Sequence, residues 1–235
     1  MKHINKFTSE EAYNTFIASN SIPEPNITLI KENNQKIIHI NKKSNYLTFE
    51  SLEDNNTFNF IARNNNKVYY SLDDGKTWTE FSNSNKPILN NGDTMICKGT
   101  CIPANGSSSS TNNGIGYFST TKNYNVSGNV MSLLYGDNFE GKYEFGNNHS
   151  YAFSRLFTSA KIYSAAKLLL PATKLKPYCY DSMFYQSTLV KAPVLPATSL
   201  EEYCYKSMFG WCDNLEIAPT LPATKLAYGC YYYMF

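Results

Sequence analysis

At 235 residues and 42% hydrophobic content, the chain can bury one large core or two small ones. Its formal charge of +2 comes from 21 basic and 19 acidic residues spread along the length, so no acidic polymer is expected as partner and nucleic acid is disfavoured. Only Arg63 and Arg155 are arginines, which leaves few bidentate donors for phosphate or carboxylate. No stretch is long and apolar enough to predict membrane insertion, and residues 1–20 lack the continuous apolar run of a secretion signal. The expectation is a protein that is not exported from the cytosol in which it is made. The cysteines at 97, 101, 179, 204, 212 and 230 form no CxxC pair and have no histidine at ligand spacing. Neither a metal nor a cofactor is therefore expected, and Cys97 and Cys101 read as reduced, buried residues.

Residues 1–42 read as an anchoring arm. Thr8 and Glu11 have capping-box spacing, and Phe7 is placed to staple onto the first turn of a helix over 9–19. Ala12, Tyr13, Phe16 and Ile17 recur at intervals of three and four along that helix and give it an apolar face. Phe7, Tyr13, Phe16 and Ile17 are the candidate partner-binding surface. After the break at Ile22-Pro23-Glu24-Pro25, strands over 27–30 and 36–40 flank a turn at 32–35. So short a segment, without disulfide or metal, is expected to pack on another surface.

Residues 43–142 alternate β-rich runs with Asn, Asp and Gly clusters, which predicts a β-sandwich. Strands are expected at 46–49, 57–61, 67–70, 94–97 and 115–118, with a further apolar run at 130–135; the Ser- and Asn-rich stretch 105–114 reads as a surface loop. Ser71-Leu72-Asp73-Asp74-Gly75-Lys76-Thr77-Trp78 matches the SxDxGxTW Asp-box of sialidase-type propellers. One box cannot make a propeller, and two arginines cannot supply a sialidase. Ser71, Asp73, Gly75, Thr77 and Trp78 are therefore read as a structural hairpin, with Trp78 as a core aromatic. His3, His39 and His149 stand apart from any nucleophile motif, so no catalytic residue is proposed.

From residue 143 the chain is read as a repeat array. Leu-Pro-Ala-Thr begins copies at 170, 195 and 221, steps of 25 and 26 residues, and Cys179, Cys204 and Cys230 share one offset, as do Met183-Phe184, Met208-Phe209 and Met234-Phe235. Tyr151-Ala152-Phe153 with Leu156-Phe157 reads as a degenerate first copy. One unit cannot bury its own apolar face, so stacked copies with internal Cys, Met, Phe and Leu ladders are predicted. The array is expected to continue beyond 235, because the third full copy stops just before the equivalent of Gly210. Tyr178, Tyr180, Tyr203, Tyr205, Trp211 and Tyr231 bracket the cysteine ladder and form a candidate ligand platform.

Met208-Phe209-Gly210-Trp211-Cys212-Asp213-Asn214-Leu215 is similar to the MFxxCxxL signature of BspA-like leucine-rich repeats and the related 26-residue bacterial surface-protein repeats. The copy from Met183 departs from it: Ser187 replaces the second cysteine, and the segment is one residue shorter. The resemblance implies a β-containing leucine-rich-type solenoid for adhesion or protein binding rather than catalysis. The order of arm, β-domain and repeats, with the opening MKHINKF, YSLDDGKTW and VMSLLYGDNF, resembles structural proteins of phages of gut Bacteroidales, including crAss-like phages. That resemblance implies a head or tail fibre in the virion. Its arm would bind capsid or tail proteins, it would form a homo-oligomer, and its repeats would meet a host-surface protein or glycan. The rival readings are a Bacteroidales cell-surface adhesin and a glycan-active enzyme or its binding module.

Overall fold

The computed structural model describes residues 4–7, 27–32, 35–40, 45–104 and 112–235. The chain is mainly β and divides into two units, 1–45 and 46–235. In the first, β1 (Ile4–Phe7), β2 (Ile27–Glu32) and β3 (Gln35–Ile40) form an antiparallel sheet in the order β1-β3-β2. The pair β2–β3 is the expected hairpin, with Glu32 opposite Gln35. Strand β1 corrects the reading of Phe7 as a helix staple: Phe7 closes a strand, opposite Lys36. The expected helix over 9–19, with Tyr13, Phe16 and Ile17, lies outside the described residues.

In the second unit, β4 (Leu47–Ser51), β5 (Asn56–Ala62), β6 (Val68–Ser71), β7 (Thr79–Glu80), β8 (Ile88–Leu89), β9 (Thr94–Gly99), β10 (Gly116–Thr120), β11 (Tyr124–Asn129) and β12 (Ile162–Leu169) build two sheets. Their orders are β12-β11-β4-β9-β6-β7 and β10-β5-β8. Period-two alternation aims Leu47 and Phe49 of the larger sheet and Phe58 and Phe60 of the smaller inward. There the Phe49 ring lies 4.6 Å from Phe118 and 5.7 Å from Phe58, so the two sheets face each other across aromatic packing.

The apolar run at 130–135 is helical instead of extended: Ser132–Tyr135 form the short helix α1. Asn129 Oδ1 accepts from the Met131 N–H at 2.9 Å before it, and Gly136, at φ +54°, ends it. The Ser132 hydroxyl then ties α1 to the sheet, accepting from the Leu47 N–H and donating to the Cys97 carbonyl at 2.8 Å.

Residues 43–142 and 143–235, expected as separate domains, belong to one unit between 46 and 235. The reason is β12. This strand of the repeat segment pairs in parallel with β11 and becomes the edge of the six-stranded sheet. Phe118 and Phe157 stack at 5.9 Å across the same junction, and one buried core runs from Leu47 to Met234.

On either side of β12, from Tyr151 to residue 235, the repeat segments stack in register. Every fourth residue in each takes a left-handed backbone, φ 49–60°: Tyr151, Arg155 and Ser159; Tyr178, Ser182 and Gln186; Tyr203, Ser207 and Trp211; Gly229 and Tyr233. Alternate N–H groups then serve two purposes. Those of Cys179, Asp181, Met183 and Tyr185 turn back three residues, while those of Tyr178, Tyr180, Ser182 and Phe184 donate to carbonyls of the next copy at 2.8–3.0 Å. The carbonyl side of the same peptide units accepts from the preceding copy, so bonds run in file: Phe153 N–H to Cys179 O, Tyr180 N–H to Cys204 O, Tyr205 N–H to Cys230 O. Such files satisfy the backbone of a segment that is neither helix nor strand. The first copy is capped by the β-sheets, since Leu156 O accepts from Phe118 N–H at 2.9 Å.

Candidate functional site

Alternation along the turns sorts the aromatic side chains into columns. Phe153, Tyr180, Tyr205 and Tyr231 stack ring on ring at 5.6–6.0 Å, and Phe157, Phe184, Phe209 and Phe235 form a second column at 5.5–5.9 Å. A third, Tyr151, Tyr178 and Tyr203, stacks at 4.6 and 4.9 Å.

The predicted platform therefore divides. Tyr180 and Tyr205 are fully buried, and their hydroxyls have no hydrogen-bond partner. This corrects their assignment as ligand contacts: one position past the cysteine, the side chain points into the core. Tyr231 is half-buried on Tyr205. Tyr178 and Tyr203 sit at left-handed positions, whose side chains reach the half-buried flank. Tyr203 leans over Gly229, where an added Cβ would lie 2.2 Å from its ring, and meets Tyr228 edge-on. Trp211 is 69% exposed.

Trp211 belongs to a group the sequence did not delimit. Tyr185, Ser207, Gly210, Trp211, Tyr233 and Phe235 line an open recess of about 250 Å³. Gly210 forms its floor: a Cβ there would stand 3.1 Å from the Tyr185 ring and 3.4 Å from the Tyr233 carbonyl. A signal was present, since Gly210 and Trp211 stand where the preceding copy has Tyr185 and Gln186.

The hairpin residues come together as a closed hydrogen-bond set. Asp73 accepts from the Ser71 hydroxyl at 2.7 Å, the Thr77 N–H at 2.9 Å and the Thr77 hydroxyl at 2.7 Å. The Gly75 N–H donates to Ser71 Oγ, and the Trp78 indole to the Gly75 carbonyl. Hydrogen bonds from Thr77 and Ser71 hold the Asp73 carboxyl down at about 2. Trp78 is half-buried, which corrects its expected place in the core. Its ring lies edge-on to Tyr46 at 5.2 Å and 4.1 Å beneath the Lys98 ammonium, itself paired with Asp137 at 2.8 Å.

All six cysteines are buried free thiols, and burial pushes those of Cys97 and Cys179 well up. Among the described residues no group of three or more His, Cys, Asp or Glu is placed to hold a metal, and no helix is long and apolar enough to cross a membrane.

No protein-family model, curated protein or solved structure matches the chain.

Proposed function

We propose that the protein is a structural component of a phage virion, a head or tail fibre, that displays its repeats for adhesion to a host surface and performs no catalysis. In this reading the arm binds capsid or tail proteins, several copies assemble together, and a β-sandwich caps a leucine-rich-type solenoid. The observation that carries it is the stack: copies whose alternate N–H groups are bonded from one to the next, over columns of stacked aromatic rings. A rigid repeated array is suited to contact over an extended surface. The separate unit of residues 1–45 supports a division between attachment and display.

Particles assembled with protein lacking residues 1–42 test the arm. The truncated protein is expected to stay folded and soluble but absent from purified particles probed with antibody to the repeats. Labelling equal to that of particles carrying the full chain would refute attachment through the arm.

A further inference from the structure

We propose that Arg63 and Arg155, the two arginines of the chain, form a site for the carboxylate of a small organic acid. The site lies at the seam between the sheets and the first copy and is independent of the display reading above.

Strand β10 brings together two side chains far apart in sequence. On one side it pairs with β5, whose end leads into Arg63, and the Arg63 N–H donates to Ile115 O at 3.1 Å. On the other it runs along the first copy: the Phe118 N–H donates to Leu156 O at 2.9 Å, and a Cβ added to Gly114 would stand 2.6 Å from Ser154 O. Arg155 is the residue between those two contacts. The Arg63 guanidinium stays against the same segment, donating to the Asn113 carbonyl and lying 5.4 Å from the centre of the Tyr117 ring.

Neither guanidinium has the partner its charge demands. Arg155 Nε–H is buried without an acceptor, and among the described residues no carboxylate lies within ion-pair distance of either arginine. Burial, and then the charge of Arg155, lower the Arg63 pKa. The carboxyl that acts on Arg155 is that of Asp181, which is only 4% exposed and accepts from the Ser182 hydroxyl at 3.2 Å and the Ser154 hydroxyl at 3.4 Å. Its burial raises its pKa against the pull of Lys206 and Arg155. The stack itself does not require a base here, since Ser182 and Ser207 fill the position of Arg155 in the next two copies.

Asp181 offsets part of the charge of Arg155, so the pair retains less than two positive charges, enough for a monoanion and short of a phosphate dianion. A planar carboxylate also matches the guanidinium fork, two oxygens to two N–H groups.

Two arginines give two Nε–H signals, which NMR of the full chain can follow one by one. Titration with acetate, and then glucuronate, at constant ionic strength is expected to move both signals to saturation. A peptide with a free C-terminus, run beside its amide, tells a polypeptide source of the carboxylate from a sugar. Arg155→Ser should abolish saturation at Arg63, and Arg63→Lys, which keeps the charge and loses the fork, should weaken binding about tenfold. Unmoved Phe118 and Leu156 amide signals would show that the seam is folded in both variants. If Arg155→Ser disturbs them, Arg155→Lys replaces it and should weaken binding about tenfold as well.

Shifts that never saturate, or acetate bound as tightly by the Arg155 variants as by the natural chain, overturn the site. Phosphate or sulfate bound more tightly than acetate overturns the carboxylate assignment.

Discussion

Two tyrosines in the stack carry a cost that phenylalanine would avoid. Tyr180 lies between Phe153 and Tyr205, fully buried, with its hydroxyl unpartnered. An unsatisfied buried hydroxyl costs about 1–3 kcal/mol, and Phe153 already fills the same position in the first copy. Tyr180→Phe should therefore raise unfolding stability by about 1–2 kcal/mol in urea at unchanged m value; a loss instead would mean the hydroxyl has a partner. Asp73 behaves oppositely to a buried polar group, because every bond to it favours its charged form. Its folded value, about 2, lies below the unfolded value near 3.9. Its contribution is thus fully present above pH 4 and disappears as pH falls through 2, and carboxyl NMR should place its midpoint near 2. Trp78→Ala, at a half-buried ring under Lys98, should cost about 1–3 kcal/mol by chemical denaturation, less than the 3–5 kcal/mol of a core aromatic.

The repeat copy is the element in which single side chains act on neighbours. Phe184 is fully buried between Phe157 and Phe209, at 5.5 and 5.6 Å. Phe184→Ala should cost about 3–5 kcal/mol, and hydrogen exchange should quicken at the Phe157 and Phe184 amides, which bridge to the adjoining copies. The ladder positions were legible because Cys, Met and Phe recur at fixed offsets, and β4, β5, β6, β9 and β10 because their alternation is plain. Other elements left weaker marks. Strands β7 and β8 have two residues each, too few for any period, and β12 mixes Ala, Ser and Lys because it is buried at only a few positions. The left-handed residue at every fourth position was invisible, since it falls on Tyr, Ser, Arg, Gln and Trp as readily as on Gly229. That spacing decides which tyrosines face outward, so the platform could be bounded in the sequence but not divided into core and surface. The recess was half legible: Trp211 stood out by type, while Tyr185, Ser207 and Tyr233 join it only through folding.

At the scale of the whole chain, β12 decides how residues 46–235 unfold. A strand zipped to β11 through Tyr124, Gly128 and Asn129 couples the sheets to the repeats, as does the Phe118–Phe157 stack. The two tryptophans stand on opposite sides of this seam, Trp78 in the hairpin and Trp211 in the repeats, and they report separately in Trp78→Phe and Trp211→Phe variants. Both emission curves are expected to share one midpoint in guanidinium. Earlier loss of the Trp211 signal would show that the repeats melt by themselves and that the seam is weak.

The files of bonds between copies also give the stack an electrical direction. In a pleated sheet the peptide dipoles largely cancel, but in the cysteine-bearing turns the units that link the copies point one way, carbonyl toward the β-sheets and N–H toward the later copy, while bonds such as Thr188 N–H to Ala160 O, Glu216 N–H to Val190 O and Lys225 N–H to Thr198 O run the other way. Aligned peptides sum as they do in a helix, so the flank that carries the cysteine-bearing turns has an axial dipole, and the bonds at Thr188, Glu216 and Lys225 oppose part of it.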